Sequence, residues 1–432
     1  MKLRLVEWDG SGPAALAADL RASTPDPAAI AGDVTDIVAQ VRAGGDRAAA
    51  ELGERFDGVR VADLRLDGAE RRRLADAAPG ELRAALSTAA VNIRAVAEMQ
   101  VAAGREPIEQ PLTQGQRVTI VDVPVGSAAI YVPGGRAPYP STVLMGGIAA
   151  RAAGVERVAL ATPPSADGLV PPAIAAAAEI AEIDDVYPLG GAQAIAALAY
   201  GTETIAPVDL IAGPGGPWVQ EAKLAVSRTT GIDGYAGPSE LVIVSDGTAE
   251  ARWLALDLCA QAEHGDDGLL VFAGAGEDLA ALGAELERIS QDSPTVADAT
   301  VVMVGCPNID AAMALSESLA PEHLQLACSD AERLAGAVRT AGCVLTGPHG
   351  GTAFGDYAAG SNHVLPTGGA GRFTGPLGPR TFRRSLSIVG MTPESAVELG
   401  SVVETIARSE GFDVHAASAV ARGRSTDESE RI

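Results

Sequence analysis

Aromatic side chains are scarce in this chain: Phe, Trp and Tyr make up 3% of its 432 residues. A core of ordinary density must therefore be built from Ala, Val, Leu and Ile, the bulk of an apolar fraction of 47%. Cysteine is rare too. Cys259, Cys306, Cys328 and Cys343 are scattered, with no C-x-x-C pair. That spacing argues against a thiolate metal site or a disulfide framework and suits a reducing compartment. Positive charge is also short, with 32 Lys plus Arg against 56 Asp plus Glu and a formal net charge of −24. A surface so acidic repels phosphate backbones and anionic lipid, so neither nucleic acid nor a membrane is expected as a partner. No apolar run reaches bilayer-spanning length, and the opening "MKLRLVEWDGSG" carries Glu7 and Asp9 where a signal peptide would be apolar. The expected location is the cytoplasm.

The length allows two or three domains. The first hundred or so residues read as helical. "DVTDIVAQVRAGGDRAAAELGERFDG" has an apolar stripe, Asp33 or Thr35 as a cap, and a glycine-marked stop; "PGELRAALSTAAVNIRAVAEMQVAAG" is a second long amphipathic helix. From about residue 116 the period changes. "RVTIVDVPVGSAAIYVPGG" reads as strands, and "RVALATPP", "DVYPLGG", "DLIAGPGG", "ELVIVSD", "LLVFAG", "TVVMVG" and "CVLTG" alternate with Ala-rich helices. Near-continuous apolar strands alternating with helices imply parallel sheets covered on both faces. The loop "TTGIDGYAGPSE" divides the strands into two groups, hence two α/β modules rather than one sheet. After Gly347 the chain is glycine-rich and irregular, as a folded functional loop would be, and a helical tail follows.

Five histidines stand out, because four of them have acidic or amide residues close by in sequence. "SLAPEHLQL" puts Glu322 and His323 side by side in an apolar run. In "AQAEHGDD", Gln261 and His264 are three apart and share a helix face; an imidazole and an amide oxygen make half a zinc shell. "FGDYAAGSNHVLPTGG" carries Asp356 and His363, and "EGFDVHA" carries Glu410 and His415. Read singly, the last three pairs are more often capping or surface features. Cys259, two residues before Gln261, points away from the Gln261 face and reads as core rather than as a nucleophile. The strand–glycine–helix runs "DLIAGPGGPWVQEAK" and "YPLGGAQAIAALAYG" suit an anion at a helix N-terminus. Trp218 breaks the dinucleotide fingerprint, so composition and spacing permit a nicotinamide cofactor without requiring one.

Taken together and in order, "YVPGGRAPYPSTVLM", "GGAQAIAALAYGTETI", "IAGPG", "GIDGYAGPSE", "AQAEHG", "APEHLQL", "GDYAAGSNHVLPTGG" and "EGFDVHA" resemble histidinol dehydrogenase over about residues 30–420. The resemblance implies a zinc-containing, NAD-dependent oxidation of L-histidinol through L-histidinaldehyde to L-histidine, the last step of histidine synthesis. It places the zinc ligands on Gln261, His264, Asp356 and His415, with His415 supplied by the partner in a homodimer. It places substrate contacts on Ser239, Gln261, His264, His323, Asp356, His363, Glu410 and His415. The acid–base pair falls on Glu322 and His323, and cofactor contacts fall on Tyr131, Gln193 and the position of Gly216.

The architecture expected is α/β: two incomplete Rossmann-like parallel-sheet modules with small helical terminal segments, in a homodimer that exchanges its tails. Residues 1–25 form an N-terminal segment. Residues 26–128 with 240–380 form a discontinuous first module bearing most metal and catalytic groups. Residues 129–239 form the cofactor-side module, and 381–432 a helical tail reaching the partner subunit.

The chain departs from the family at Gly216, where an asparagine is usual, and in carrying His349, Arg380, Arg383 and Arg384. Those departures motivate one alternative, a paralogous zinc and NAD dehydrogenase acting on another small alcohol. A second alternative is a ligand-binding or regulatory protein that has lost catalysis; the intact Glu322–His323 pair counts against it.

Overall fold

The computed structural model describes residues 1–22, 30–102, 106–134, 137–275 and 279–423. In chain order, strand β1 (Lys2–Glu7) and helix α1 (Pro13–Arg21) lead into α2 (Ala31–Asp57), α3 (Gly68–Asp76) and α4 (Gly80–Ala102). Next come β2 (Ile108–Pro111), β3 (Arg117–Pro124), β4 (Ser127–Tyr131), α5 (Pro140–Ala153), β5 (Arg157–Thr162), α6 (Pro172–Ile180), β6 (Asp185–Pro188), α7 (Gly191–Tyr200), β7 (Leu210–Ala212), α8 (Pro217–Val226) and β8 (Gly231–Ile232). A second series runs β9 (Glu240–Ser245), α9 (Ala251–Ala262), β10 (Leu269–Ala275), α10 (Leu279–Asp292), β11 (Thr300–Cys306), α11 (Ile309–Leu319), β12 (His323–Ala327), α12 (Ala331–Ala335) and β13 (Cys343–Thr346). The short α13 (Thr352–Tyr357) precedes β14 (Arg383–Gly390), α14 (Pro393–Ser409) and α15 (Asp413–Gly423).

The two expected parallel sheets are present, and they share one winding. In the five-stranded sheet the order is β6-β5-β4-β7-β8; in the six-stranded sheet it is β1-β11-β10-β9-β12-β13. Setting β1 aside, each sheet lays its strands as third, second, first, fourth, fifth along the chain, so connections depart in opposite directions from the central pair. In such sheets ligands bind beyond the C-terminal strand ends, where that direction reverses. At the reversal in the six-stranded sheet, β9 beside β12, Asp246 accepts from the Ser329 amide (2.9 Å) and hydroxyl (2.7 Å), bridging the two strand ends.

Apolar clusters cover both faces of both sheets. On the five-stranded sheet, Ile130, Leu160 and Val186 pack with residues of α3–α6, and Tyr131, Ala159 and Tyr187 with residues of α2 and α7. On the six-stranded sheet, Val242, Val271 and Leu324 pack against α1 and α11, and Leu241, Phe272 and Met303 against α9 and α10. Several features differ from the sequence reading: residues 108–111 and 117–124, grouped there with the six-stranded sheet, and residues 383–390, read as part of a helical tail, pair as an antiparallel sheet β14-β3-β2. Helices α2–α4, grouped there with the six-stranded sheet, cover the five-stranded one, because an amphipathic stripe does not specify which sheet it meets. Residues 2–7, grouped with a helical terminal segment, pair in parallel with β11 as an edge strand. The boundary set near residue 26 lies outside the described residues. Helix α2 begins at Ala31, ahead of the expected caps, and Thr35 Oγ1 instead donates to the Ala31 carbonyl (2.8 Å).

The chain divides into two compact units. One spans Met1–Val101 and Val125–Phe382 and contains both parallel sheets; the other joins Ala102–Pro124 to Arg383–Ile432. The second unit holds the antiparallel sheet β14-β3-β2 and the α14–α15 hairpin, whose entry Thr392 and Ser395 fix with a capping box. Arg383 pairs with Asp122 across β14 and β3 (2.7 Å). Among the described residues no helix is long and apolar enough to cross a membrane.

Candidate active site

Within the larger unit a cleft of about 320 Å³ brings together two strand edges. One wall is the C-terminal edge of the five-stranded sheet: Pro133 and Gly134 after β4, and Pro214 to Pro217 after β7. These loops flank the point where that sheet's winding reverses. The other wall is the N-terminal edge of the six-stranded sheet, carrying Ser239 before β9 and Glu322 and His323 at the start of β12.

Local sequence explains why the pair sits there. Helix α11 starts on Asn308, whose side chain accepts from the Ala311 amide (2.9 Å), and it ends at Ala320 in the left-handed region (φ 49°). A left-handed alanine costs roughly 1 kcal/mol, and the following Pro321 cannot continue a helix, so the chain turns abruptly into β12. Both side chains are buried, Glu322 at 7% and His323 at 3% exposure. Glu322 Oε2 accepts from the Glu240 amide (2.7 Å) and lies 3.6 Å from His323 Nδ1. His323 Nδ1 donates to the Glu240 carbonyl (3.2 Å), and Nε2 lies 3.1 Å from Asp356 Oδ1. Burial would lower the His323 pKa, but the carboxylates of Glu322 and Asp356 outweigh it and hold the pKa well above the usual imidazole range. Burial raises the Glu322 carboxyl, against the opposing pull of His323 and the Glu240 amide.

Asp356, on α13, accepts from Gln261 Nε2 through its second oxygen (3.0 Å). Burial would raise its pKa; the His323 hydrogen bond and the charges of His323, His363 and His264 lower it. Gln261 lies in the last turn of α9, 2% exposed, and its Oε1 is buried without a hydrogen-bond partner. Rotating the amide would bring Oε1 against the Asp356 carboxylate, so the orphan oxygen belongs where it is. Helix α9 ends at Ala262, and His264 lies in the turn beyond it, lining the same cleft. A buried oxygen with no donor, a carboxylate and an imidazole are the donor set a zinc ion takes. Among the described residues no three His, Cys, Asp or Glu side chains are grouped to hold a metal.

His363 Nδ1 donates to the Asp356 carbonyl (2.6 Å), and Nε2 accepts from the Thr142 hydroxyl (3.0 Å). Burial lowers its pKa, and the ring ties the Asp356 backbone to Thr142. Tyr131 ends β4 with its hydroxyl accepting from the Gly191 amide at the start of α7 (3.0 Å); burial pushes the phenol up to about 12. Gln193, 1% exposed, leaves Nε2 without a partner nearby on the same helix. The Gly213–Gly216 loop is clamped from behind. Lys223, fully buried on α8, bonds the Gly213 carbonyl (3.1 Å) and the Asp233 carboxylate, and Asp233 also accepts from the Gly213 amide (2.7 Å). Gly216 caps α8, and a Cβ built on it meets nothing within 4 Å.

Glu410 and His415 do not line this cleft. They belong to the smaller unit, at the C-cap of α14 and on α15, with His415 exposed and its ring 5.4 Å from that of Phe412. Cys259 packs in the core with its thiol pushed up to about 11 by burial, as an inert residue should be. His349 stacks against Trp253 (5.5 Å), and Arg380, Arg383 and Arg384 are absent from the cleft lining. Sequence reasoning missed Glu240, Thr142 and Arg21; the only signal for Glu240 was its place after Ser239.

A family model for histidinol dehydrogenase matches residues 20–423. The histidinol dehydrogenase of Aromatoleum aromaticum is 42% identical over 401 residues, covering 90% of each chain. That of Haloarcula marismortui is 40% identical over 400 residues, covering 90% of this chain and 93% of its own. The crystal structure of histidinol dehydrogenase from Elizabethkingia anophelis superposes with a TM-score of 0.88 at 30% identity, covering 98% of both chains.

Proposed function

The chain belongs to the histidinol dehydrogenase family, and on that premise we propose that it oxidises L-histidinol through L-histidinaldehyde to L-histidine in the cytoplasm. The observation that carries the reading is the buried Glu322–His323 pair facing Asp356 and the orphan Gln261 oxygen across one cleft. NAD⁺ accepts a hydride in each of the two oxidations, so one alcohol and one water yield a carboxylate, two NADH and three protons. Gln261, His264 and Asp356 would hold zinc, which would supply a Lewis-acidic anchor for substrate nitrogens. His323, its ring held by the Glu240 carbonyl at Nδ1, accepts the alcohol proton in this reading. Glu322, its carboxyl raised by burial, takes a proton from the water that adds to the aldehyde. The cleft-lining loop through Gly216 would hold the cofactor near the winding reversal, with Tyr131 and Gln193, buried and outside the lining, as the further contacts the resemblance implies, and Ser239, His363 and Glu410 would bound the substrate.

The active form in this reading is a homodimer in which His415 of one subunit completes the metal shell of the other. In support, Val397, Ile406, Phe412 and Val414 of the smaller unit are all more than half exposed. Against the electrostatic motive of the paralogous alternative, Arg383 is paired with Asp122 and Arg380 and Arg384 are not in the cleft lining; Gly216 remains its motive. The test is NAD⁺ reduction on L-histidinol with and without a chelator. Two NADH per substrate, lost on chelation, is the expected outcome. Turnover of a different alcohol alone would establish the paralogue.

A further inference from the structure

The residue that ties the catalytic pair to the rest of the molecule is one the reaction does not use. Glu240 opens β9 at 3% exposure. Its backbone serves the pair directly: the amide donates to Glu322 Oε2 (2.7 Å) and the carbonyl accepts from His323 Nδ1 (3.2 Å). Its carboxylate serves the chain around the pair. Oε2 accepts from the Glu322 amide (3.2 Å), and Oε1 from the amide of Gly368, where the loop carrying Asp356 and His363 returns (2.8 Å). Both oxygens are also gripped by the guanidinium of Arg21, at 2.7 and 2.9 Å. Arg21 comes from the last turn of α1, and it donates as well to the Leu319 carbonyl (3.0 and 2.6 Å), one residue before the left-handed Ala320.

We propose that Arg21 and Glu240 form a positioning brace for Glu322 and His323, by which the N-terminal helix sets the geometry of the catalytic turn. A fork-to-carboxylate pair with every remaining lone pair committed is rigid in both distance and plane. The brace joins α1, the turn after α11, the start of β9 and the end of the Asp356 loop at one carboxylate. A turn that includes a left-handed alanine would otherwise relax, carrying Glu322 off the line to its water.

This inference rests on the proposed histidinol oxidation, and the test separates the two. The full-length zinc-loaded enzyme is assayed for NADH formation from L-histidinol, beside thermal melting and zinc content. Glu240→Gln should lower kcat about 10- to 100-fold, with substrate KM and zinc stoichiometry little changed. Arg21→Lys, which keeps the charge, should retain more activity than Arg21→Met. Because the brace acts through the pair, the fractional loss from Glu240→Gln should be smaller in a Glu322→Gln background than in the wild type. Equal fractional losses in both backgrounds, or full activity in Glu240→Gln, overturn the brace while leaving the reaction intact. A wild-type enzyme that forms no NADH from histidinol overturns the reading beneath it. Should Glu240→Gln not fold, Arg21→Lys goes through the same cycle with the same criteria.

Discussion

At the scale of single residues, the site depends on groups whose neighbours decide their protonation. His323→Ala should lower kcat by about 10²- to 10⁴-fold, the usual weight of a general base, with zinc content unchanged because the proposed ligands Gln261, His264 and Asp356 are untouched; metal analysis beside steady-state kinetics checks this. Gly216 makes a gain of function available. Nothing lies within 4 Å of a Cβ placed there, so a side chain can start from this cleft-lining position, and Gly216→Asn adds an amide to the loop. It should lower KM for NAD⁺ severalfold, the equivalent of about 1 kcal/mol from one added hydrogen bond, with kcat on histidinol nearly constant. The pair Glu322–His323 was legible in the sequence because two titratable groups interrupt an apolar run. Glu240 was not, because half of what it does is done by its backbone amide and carbonyl, which every residue possesses.

At the scale of elements, the parallel strands were readable wherever apolar runs were unbroken, and the loop "TTGIDGYAGPSE" separated the two sheets as expected. Strand β12 escaped as a strand because its catalytic start spoils the pattern, and β1 escaped because its burial is only partial on an edge. The glycine loop after β7 shows how tightly one element can constrain another. Gly213 sits at φ 122°, and a Cβ there would stand 2.1 Å from the Tyr131 carbonyl of β4. Gly213→Ala should therefore destabilise the protein by about 2 kcal/mol or more and raise KM for NAD⁺ as the loop shifts. Thermal melting and cofactor titration would register both. Sequence showed that a glycine stood here, but not that β4 lay behind it.

For the whole molecule, the sharpest prediction concerns which chain each half of the site comes from. Mixed refolding of His323→Ala with His415→Ala should recover about a quarter of wild-type activity, since half the dimers are mixed and each has one intact site. Recovery near zero would place His415 in the site of its own chain. The proposed exchange of tails rests on resemblance alone, because no periodicity in the α14–α15 hairpin names its partner. One last consequence follows from the Asp246–Ser329 bridge. Both sheets are wound alike, but the cleft lies at the reversal of the five-stranded sheet, whereas at the reversal of the six-stranded sheet a carboxylate stitches the strand ends together. If that cleft is the dinucleotide's berth, the two proposed oxidations would take turns in it, with spent cofactor departing and fresh cofactor arriving while the half-oxidised intermediate waits in the grip of the opposite wall.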